Sequence, residues 1–553
     1  RRVLKILGLE SLIDELPDFD AYLDTVDWPD QWSLRNYPVG DRDRARIAKM
    51  MKAAFLKKPS YEWEQLFGDA KAPGICQRTS RDWMADEHAL VSGLILETPH
   101  PQFGSMRQAG NVAWLKDDEG ASIKMPPPLP DSAPLKKILS EAPRQGDSGE
   151  NDGGWLEGLE VLDLTNVIAG PTIGSTLARF GAKVTLVQPV APNLDPWNAV
   201  VFGIHAHRGK RSLLLNLRKP AGQDALKKLI KKSDIITVNA TDTQLESLGL
   251  TESELADINP RLILVQLDAF GGPMPGPKSN YLGYDDLAQA ATGVMLRFGG
   301  GMSTPEEHAH FGTIDVLTGY SACVALGAAL LRLRETGKGG IARASLASAG
   351  NLIQAQFMYD FDGRPPFNEP AGRKVQGWGP FYHCYQAADG WMFFAAPKEQ
   401  REALRRVPEL VDLAEVSEEQ LTQELSSRFK QQPTSFWQSA LRRTSSTVMP
   451  LGSLHQTRDE SRTAESTGAI DLKEETFRVI RHDQHPMGRW CDLVAPNAVR
   501  PRNAKITIPN PMPKYGAHTR EILQELGYSV AEINKLISEQ IASESWSQHY
   551  LPE

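Results

Sequence analysis

The chain is poor in cysteine and lacks the marks of secreted, metal-binding or membrane proteins. Its 553 residues include four cysteines, which lie far apart in sequence without the paired spacing of a zinc site or a disulfide framework: Cys76, Cys323, Cys384 and Cys491. No apolar stretch predicts a membrane span, and no signal peptide is recognisable. The net charge of −8 gives no sign of a nucleic-acid partner. This composition agrees with a soluble enzyme, for which a reducing cytoplasm is the simplest compartment, and the cysteines predict no metal site.

Short apolar strands alternate with helical stretches in the second half of the chain. The strands are predicted at 161–164, 184–187, 235–238 and 262–265, and a typical helix at 220–232. Such alternation predicts an α/β fold, a Rossmann-like parallel sheet with helices on both faces.

The sequence lacks the residues that bind NAD, which is a common cofactor of such a sheet. The first turn, from Asn166 to Gly174, has no G-x-G-x-x-G pattern, which close approach of a pyrophosphate requires. The second strand ends in Gln188, where an NAD site would place an acidic residue for the ribose. We therefore do not expect NAD as cofactor.

One carboxylate stands at the start of a long apolar helix. Residues 316–334 are apolar nearly all round and predict a buried helix, and Asp315 lies at its N-terminal end. Free backbone N–H groups and the helix dipole there favour an anion, so we expect Asp315 to be ionised. Taken alone, an aspartate at this place is more often only a cap of the helix.

Motifs in a fixed order carry a family resemblance. The stretch 156–171 (LEGLEVLDLTNVIAGP), followed by 177–187 (LARFGAKVTLV), resembles the opening of class III CoA transferases of the CaiB/BaiF type. Later motifs follow in the same order, at 208–212 (RGKRS), 234–239 (DIITVN), 258–262 (INPRL), 283–289 (GYDDLAQ) and 336–339 (TGKG). Asp315 falls on the family's catalytic aspartate.

The resemblance implies further site residues. Acetyl-CoA or CoA would be the co-substrate, and residues matching the family's CoA-binding region are Arg208, Lys210, Arg211, Asn239, Asp268 and Phe270. By itself the basic cluster at 208–211 is more often a solvated turn.

Two stretches resemble each other and suggest a duplicated module. Residues 55–63 parallel 429–437, and 100–106 parallel 485–490. Both members of each pair match the closing region of a class III CoA transferase. We therefore expect an N-terminally incomplete chain that starts inside a first module and then holds a whole second one.

The expected domain limits follow from this duplication and from composition. They are 1–115 for the tail of the first module, 116–154 for a proline- and glycine-rich linker, 155–369 for the large CoA-binding domain, 370–480 for a smaller α+β domain, and 481–553 for the return to the large domain. Since two subunits of this family interlock, the tandem would form a pseudo-dimer. The partner of the second module would be the rest of the first module or a second copy of the chain.

The tandem arrangement and the closing residues 544–553 resemble the two-module members of the family from marine bacteria. That resemblance implies CoA transfer from acetyl-CoA to dimethylsulfoniopropionate, then cleavage to dimethyl sulfide and 3-hydroxypropionyl-CoA. A sulfonium cation is best held by aromatic faces, for which Trp378 and Tyr382 are candidates, with Tyr284 as a further substrate contact. Ordinary aromatic core is an even alternative for this region.

Four questions stay open at the level of sequence. The acceptor could be another small acid of the carnitine or oxalate type, and the chain could be a non-catalytic CoA-binding scaffold. A racemase would lack its base, because Tyr284 stands where the racemases have histidine, although His308 and His310 lie nearby. The sequence does not show which residue is the base for elimination; the candidates are Asp315, Asp285, Asp286, Glu306 and Glu307.

Overall fold

The structure is a computed structural model. It describes residues 2–15, 41–116, 153–192, 202–306, 312–365, 372, 374–463, 477–482, 491–496, 499 and 504–546.

The chain divides into two compact units. The large unit comprises Arg1–Met295, His308–Arg364 and Thr463–Glu553, and the small unit comprises Leu296–Glu307 and Pro365–Arg462. The residues before the predicted linker thus belong to the large unit together with the predicted CoA-binding domain.

The described helices and strands are numbered in chain order. The α-helices are α1 (Arg2–Ile6), α2 (Ser11–Glu15), α3 (Asp41–Phe55), α4 (Ser60–Asp69), α5 (Ser80–Met84), α6 (Glu87–Val91), α7 (Ala169–Arg179), α8 (Phe202–Ala206), α9 (Pro220–Lys232), α10 (Asp242–Leu248), α11 (Glu252–Ile258), α12 (Asp285–Thr292), α13 (Val294–Gly299), α14 (Thr313–Thr336), α15 (Leu346–Ile353), α16 (Glu418–Phe429), α17 (Thr434–Leu441), α18 (Leu454–Ser461), α19 (Thr519–Glu525) and α20 (Val530–Ser538). The strands are β1 (Ile95–His100), β2 (Gly104–Ala109), β3 (Ala113–Lys116), β4 (Glu160–Asp163), β5 (Lys183–Gln188), β6 (Lys210–Leu215), β7 (Ile235–Asn239), β8 (Ile263–Asp268), β9 (Gly340–Ser345), β10 (Tyr359–Phe361), β11 (Gly377–Gly379), β12 (Tyr382–Ala387), β13 (Gly390–Ala395), β14 (Thr447–Pro450), β15 (Arg462–Thr463), β16 (Phe477–His482), β17 (Cys491–Pro496) and β18 (Ala542–Ser543).

An eight-stranded sheet forms the centre of the large unit, in the order β18-β6-β5-β4-β7-β8-β9-β3. The six strands from β6 to β9 are parallel, and β18 and β3 add antiparallel edges. Counted from β4, the parallel strands run in the order 3-2-1-4-5-6, which is the doubly wound arrangement. This confirms the predicted α/β class. The chain reverses direction of winding between β4 and β7, so a crevice forms outside the carboxyl ends of these two strands.

Each face of the sheet packs against its own hydrophobic core. In β4, Val161 joins the core that contains α7, α12, α14 and α15, whereas Leu162 joins the core that contains α9, α19 and α20. Successive side chains of a strand point to opposite faces, which explains why the buried strands are apolar throughout. The first core also includes Trp83 and Leu94 from the N-terminal segment.

Helix α14 is longer and more apolar than the sequence analysis allowed for. Within the described residues it is the one helix that could cross a membrane by length and composition, contrary to the expectation of no such stretch. Half of that stretch is buried inside the protein, where α14 packs against α7 and β9. Its apolar character is therefore explained in part by its place in the core.

The small unit has a sheet and a core of its own. Strands β11 to β14 form an antiparallel sheet in sequence order. The core packs α16 and α17 on this sheet around Tyr385, Phe394, Phe429 and Trp437.

Candidate active site at the carboxyl edge of the sheet

A cavity of about 270 Å³ lies where the strands β4, β7 and β8 end. We call it the carboxyl-edge cavity. Doubly wound sheets bind their ligands at this place, where the strand order reverses. Four of the predicted site residues line it: Asn239, Asp268, Tyr284 and Asp315.

Asp315 is the third residue of α14 and is buried, with 8% of its surface exposed. Gly312 caps the helix in the left-handed conformation, with φ of 63°, so Asp315 is not the cap itself. Its backbone N–H donates to Oδ2 of Asp285, 2.9 Å away. Among the described residues, no group donates a hydrogen bond to its side-chain carboxylate. The helix therefore positions the carboxylate at the cavity, and neither of its oxygens accepts a hydrogen bond from the described residues.

Burial raises the pKa of the Asp315 carboxyl well above its ordinary range, and the neighbouring carboxylates Asp285 and Asp286 raise it further. Asp285 and Asp286 begin α12, so two helix N-termini meet near one cavity. The helix dipole by itself predicts an ionised Asp315. Desolvation and the like charge of Asp285 and Asp286 act in the opposite direction, so the carboxyl keeps its proton to higher pH than an ordinary aspartate.

The loop that follows β4 is held by a reciprocal pair of asparagines. Nδ2 of Asn239 donates to the carbonyl of Asn166 at 3.0 Å, and the N–H of Asn166 donates to Oδ1 of Asn239 at 3.2 Å. The next residue, Val167, lines the cavity with φ of 67°, a conformation that is a genuine outlier for a β-branched residue. Sequence reasoning missed Asn166 and Val167, because a strained backbone leaves no mark in residue type.

Asp268 already has protein partners on both oxygens. Nη2 of Arg343 donates to Oδ2 at 2.6 Å, and the N–H of Gly271 donates to Oδ1 at 2.5 Å. Burial raises the pKa of Asp268 in spite of the Arg343 charge. Phe270 does not line the cavity but is a core residue, 1% exposed, whose carbonyl contacts Nε2 of His88 at 2.7 Å.

The three basic residues that follow α8, Arg208, Lys210 and Arg211, each bond to a different set of protein groups. Nζ of Lys210 is buried and contacts Asp163, the carbonyl of Pro171 and His207 at 2.6–3.1 Å. The guanidinium of Arg211 pairs with two glutamates of α19, and that of Arg208 donates to the carbonyls of residues 494 and 509. These three cations are not brought to one surface, and their role in binding CoA phosphates stays a prediction.

The predicted aromatic contacts lie in different units. Tyr284 is 55% exposed at the carboxyl-edge cavity in the large unit. Trp378 and Tyr382 belong to the small unit, where they are 60% and 54% exposed, and the ring of Tyr382 meets Phe393 edge-on at 4.8 Å. Both rings are thus outside the core of the small unit, unlike Tyr385. Residues Glu307, His308 and His310 lie outside the described residues, as do residues 485–490.

The structure thus has a doubly wound sheet with a buried aspartate at its carboxyl edge, whose side chain accepts no hydrogen bond from the described residues, and it lacks an NAD fingerprint. The chain belongs to CoA-transferase family III, whose family model matches residues 15–132 and 156–519. It is an enzyme of that family, and CoA is its co-substrate.

Curated relatives agree with this assignment. The CoA-transferase/lyase DddD of Marinomonas sp. (strain MWYL1) is 35% identical over 572 residues, which cover 100% of this chain and 67% of the relative. Alpha-methylacyl-CoA racemase of Homo sapiens is 27% identical over 407 residues, which cover 70% of this chain and 97% of that enzyme.

The fold has solved counterparts. A CAIB/BAIF family protein from Brucella suis matches with a TM-score of 0.54 at 21% identity, covering 68% of this chain and 100% of that one. This likeness confirms the predicted class III CoA transferase fold.

Proposed function

We propose that the protein transfers CoA from acetyl-CoA to dimethylsulfoniopropionate and then cleaves the product. The observation that carries the transfer step is the buried Asp315 carboxylate, whose side chain accepts no hydrogen bond from the described residues, in the carboxyl-edge cavity. The cleavage step is supported by the similarity, over the whole chain, to a relative named a CoA-transferase/lyase.

The proposed transfer uses Asp315 as nucleophile. Its carboxylate attacks the thioester carbonyl, which forms a mixed anhydride and releases CoA thiolate. The thiolate then attacks the aspartyl carbonyl, so that acetate leaves and an aspartyl-CoA thioester remains. The acceptor carboxylate attacks this thioester to give a second anhydride and thiolate, and the thiolate takes the acceptor acyl group and frees Asp315.

The local charge supports a cationic acceptor. Asp285 and Asp286 raise the pKa of Asp315, which shows that negative charge concentrates here. A sulfonium cation next to these groups would lower the pKa of Asp315 again and favour the ionised nucleophile. Tyr284, exposed at the same cavity, offers a ring face to such a cation.

The proposed cleavage is an elimination. A base removes the proton α to the thioester, the C–S bond breaks towards sulfur, and dimethyl sulfide leaves with formation of acryloyl-CoA. Addition of water gives 3-hydroxypropionyl-CoA. We assign the base to the freed Asp315, because its raised pKa suits proton uptake and because the carboxylate of Asp285 is engaged by Gln289 and by the N–H of Asp315.

The proposal extends to the site residues, the tandem and the compartment. Asn239 and Asp268 would shape the CoA end of the cavity, and Trp378 with Tyr382 would hold the sulfonium group. Residues 1–115 would be the tail of a first module whose remainder, or a second copy of the chain, completes the pseudo-dimer. A cytoplasmic location is supported by Cys76, Cys323 and Cys384, which are free thiols in the part of the chain that the structure describes.

The test compares wild type with Asp315→Asn. With acetyl-CoA and dimethylsulfoniopropionate, we expect the wild type to release dimethyl sulfide into the headspace and either component alone to release none. The variant should retain CoA binding and lose turnover, since an amide forms no anhydride. Trapping with hydroxylamine followed by mass spectrometry should find the acyl group on Asp315 only in the wild type.

Each other outcome has a definite meaning. CoA transfer between acids without release of dimethyl sulfide would indicate a transferase that acts on another small acid, such as a carnitine- or oxalate-like one. Binding of CoA without any acylated protein would indicate a scaffold. Turnover in Asp315→Asn would contradict the mechanism.

A further inference from the structure

A second cavity, of about 260 Å³, lies against the outer face of α7 and the start of α14. We call it the helix-face cavity. It shares no lining residue with the carboxyl-edge cavity, although the two are neighbours: Asp315 lines one, and Gly312 and Val316 of the same helix turn line the other. The chemistry proposed above makes no use of it.

The helix-face cavity contains a cation without a counter-ion. Arg179, the last residue of α7, lines it. Its Nη2 is shielded from solvent, and among the described residues it has no hydrogen-bond partner and no carboxylate pairs with the side chain. The guanidinium lies 5.8 Å from the ring of Phe180, and burial lowers the pKa of Arg179. A guanidinium nitrogen that is shielded from solvent without a partner is costly, so the arrangement is suited to binding an anion.

Other polar groups of the cavity suit an anion as well. No aspartate or glutamate is among its described lining residues. Burial raises the pKa of Tyr320 and the nearby charge of Arg179 opposes this shift, so the two side chains are neighbours at the cavity wall, where the Tyr320 hydroxyl can donate a hydrogen bond. Arg208 adds a second positive charge at the wall.

The rest of the wall restricts what kind of anion fits. The apolar lining residues are Ile168, Phe202, Ala206, Val316 and Pro509. One guanidinium without a partner matches a single negative charge, and apolar walls match a short hydrocarbon body. A cation such as a sulfonium acid would meet Arg179 and Arg208, which disfavours it.

We propose that the helix-face cavity binds a short aliphatic monocarboxylate through the guanidinium of Arg179, with Tyr320 as a second donor. A planar guanidinium donates two parallel hydrogen bonds to the oxygens of a carboxylate. The binding claim needs no chemistry at Asp315. If the transfer proposed above holds, the acid that leaves the acyl-CoA donor belongs to this class.

The test uses the full chain and propionate as the probe. Binding of ¹³C-labelled propionate is followed by NMR for wild type, Arg179→Gln, Arg179→Lys and Asp315→Asn, at constant ionic strength. A matched control is Arg218→Gln, because Arg218 is an exposed arginine outside the cavity. Thermal unfolding of each variant without propionate checks the fold, and Arg179→Gln should unfold no earlier than wild type because it removes an unpaired buried charge.

We expect saturable binding to the wild type, to Asp315→Asn and to Arg218→Gln. Arg179→Gln should bind about tenfold more weakly or worse, the loss of a charge-assisted hydrogen bond, and Arg179→Lys should restore part of the affinity. Wild-type affinity in Arg179→Gln would overturn the proposal. So would propionate binding that is lost in Asp315→Asn, or displacement of propionate by inorganic phosphate at lower concentration than propionate itself.

Discussion

At the scale of single residues, the place of Asp315 at the start of a helix could be predicted from the sequence, whereas its raised pKa could not. Asp315 stands before an apolar helix in the printed sequence, which is a local pattern. The groups that raise its pKa come from 30 residues earlier in the chain, where Asp285 accepts the N–H of Asp315. Only folding brings these carboxylates together. The effect of the helix dipole on the pKa of Asp315 could therefore be predicted from the local sequence, whereas the effect of Asp285 and Asp286 could not.

Asp315→Asn should stabilise the protein at neutral pH while it removes activity. The folded state keeps a proton on Asp315 that the unfolded chain releases above pH about 4, so wild-type stability falls as pH rises from there through the raised pKa. Asparagine carries no such penalty. We expect a gain of about 0.5–2 kcal/mol at pH 7, a size common where an active site costs stability, and no gain below pH about 4.

Denaturant unfolding of both proteins across this pH range measures the difference. A variant that is less stable than wild type at pH 7 would mean that the carboxylate is stabilised in the fold, against the direction inferred from its burial.

Trp378→Ala and Tyr382→Ala test the predicted cation cage. Each should raise KM for dimethylsulfoniopropionate by the equivalent of about 1 kcal/mol, a typical cation–π contribution, and leave KM for acetyl-CoA unchanged. Trp391→Ala is the control, because Trp391 is also an exposed aromatic residue of the small unit. Equal effects of all three substitutions on the KM of both substrates would contradict the predicted cation cage.

At the scale of elements, hydrophobic patterns in the sequence predicted where helices and strands lie, but they did not predict which distant strands pair. The helix predicted at 220–232 is observed as Pro220–Lys232, and the strand predicted at 161–164 as Glu160–Asp163. By contrast, β3 pairs with β9, where Trp114 faces Arg343. Nothing in four residues of sequence indicates a partner so distant along the chain.

The two similar helix pairs also share a side-chain contact. Nε1 of Trp63 donates to the carbonyl of Phe55 at 2.9 Å, and Nε1 of Trp437 donates to the carbonyl of Phe429 at 2.9 Å. In each pair one helix ends at the phenylalanine and the next begins after a proline. This shared detail supports the proposed duplication beyond letter similarity.

Glu64 of α4 should be important for the stability of the N-terminal segment. Its carboxylate lies 2.8 Å from Arg78 and 3.1 Å from Lys278. Although burial opposes it, the hydrogen bonds and charge of Arg78 lower the pKa of Glu64 to about 2. Glu64→Gln leaves two buried cations with less compensation and should cost about 3 kcal/mol at pH 7, the scale for breaking a buried pair.

The pH dependence of that loss has a defined sign. A lowered folded pKa gives stability that is present above the ordinary glutamate pKa and is lost as pH falls through about 2. The difference between Glu64→Gln and wild type, measured by denaturant unfolding, should therefore shrink on acidification. Glu62→Gln, an exposed neighbour on the same helix that pairs with Lys58 at 3.5 Å, should change stability little. Similar losses in both variants would refute the special role of Glu64.

At the scale of the whole molecule, the N-terminal segment is part of the same core as the CoA-transferase sheet. Trp83, fully buried, donates from Nε1 to Oδ1 of Asn351 at 2.9 Å, and Nδ2 of Asn351 donates to the carbonyl of Leu94 at 2.9 Å. Strand β3 closes one edge of the sheet through β9. That residues 1–115 are the tail of a first module stays a prediction from the sequence, and the surface that they cover depends on contacts between segments separated by more than 200 positions.

Residues 1–116 produced alone should therefore not fold. Without α14, α15 and β9, the side chain of Trp83 and the polar groups of β3 lose their partners, and the apolar surface that these residues bury in the shared core is exposed. Circular dichroism during urea titration should show no cooperative transition for 1–116, whereas mixing it with residues 153–553 should restore one. A cooperative transition of 1–116 by itself would show that the segment is an independent domain and would contradict the proposed pseudo-dimer.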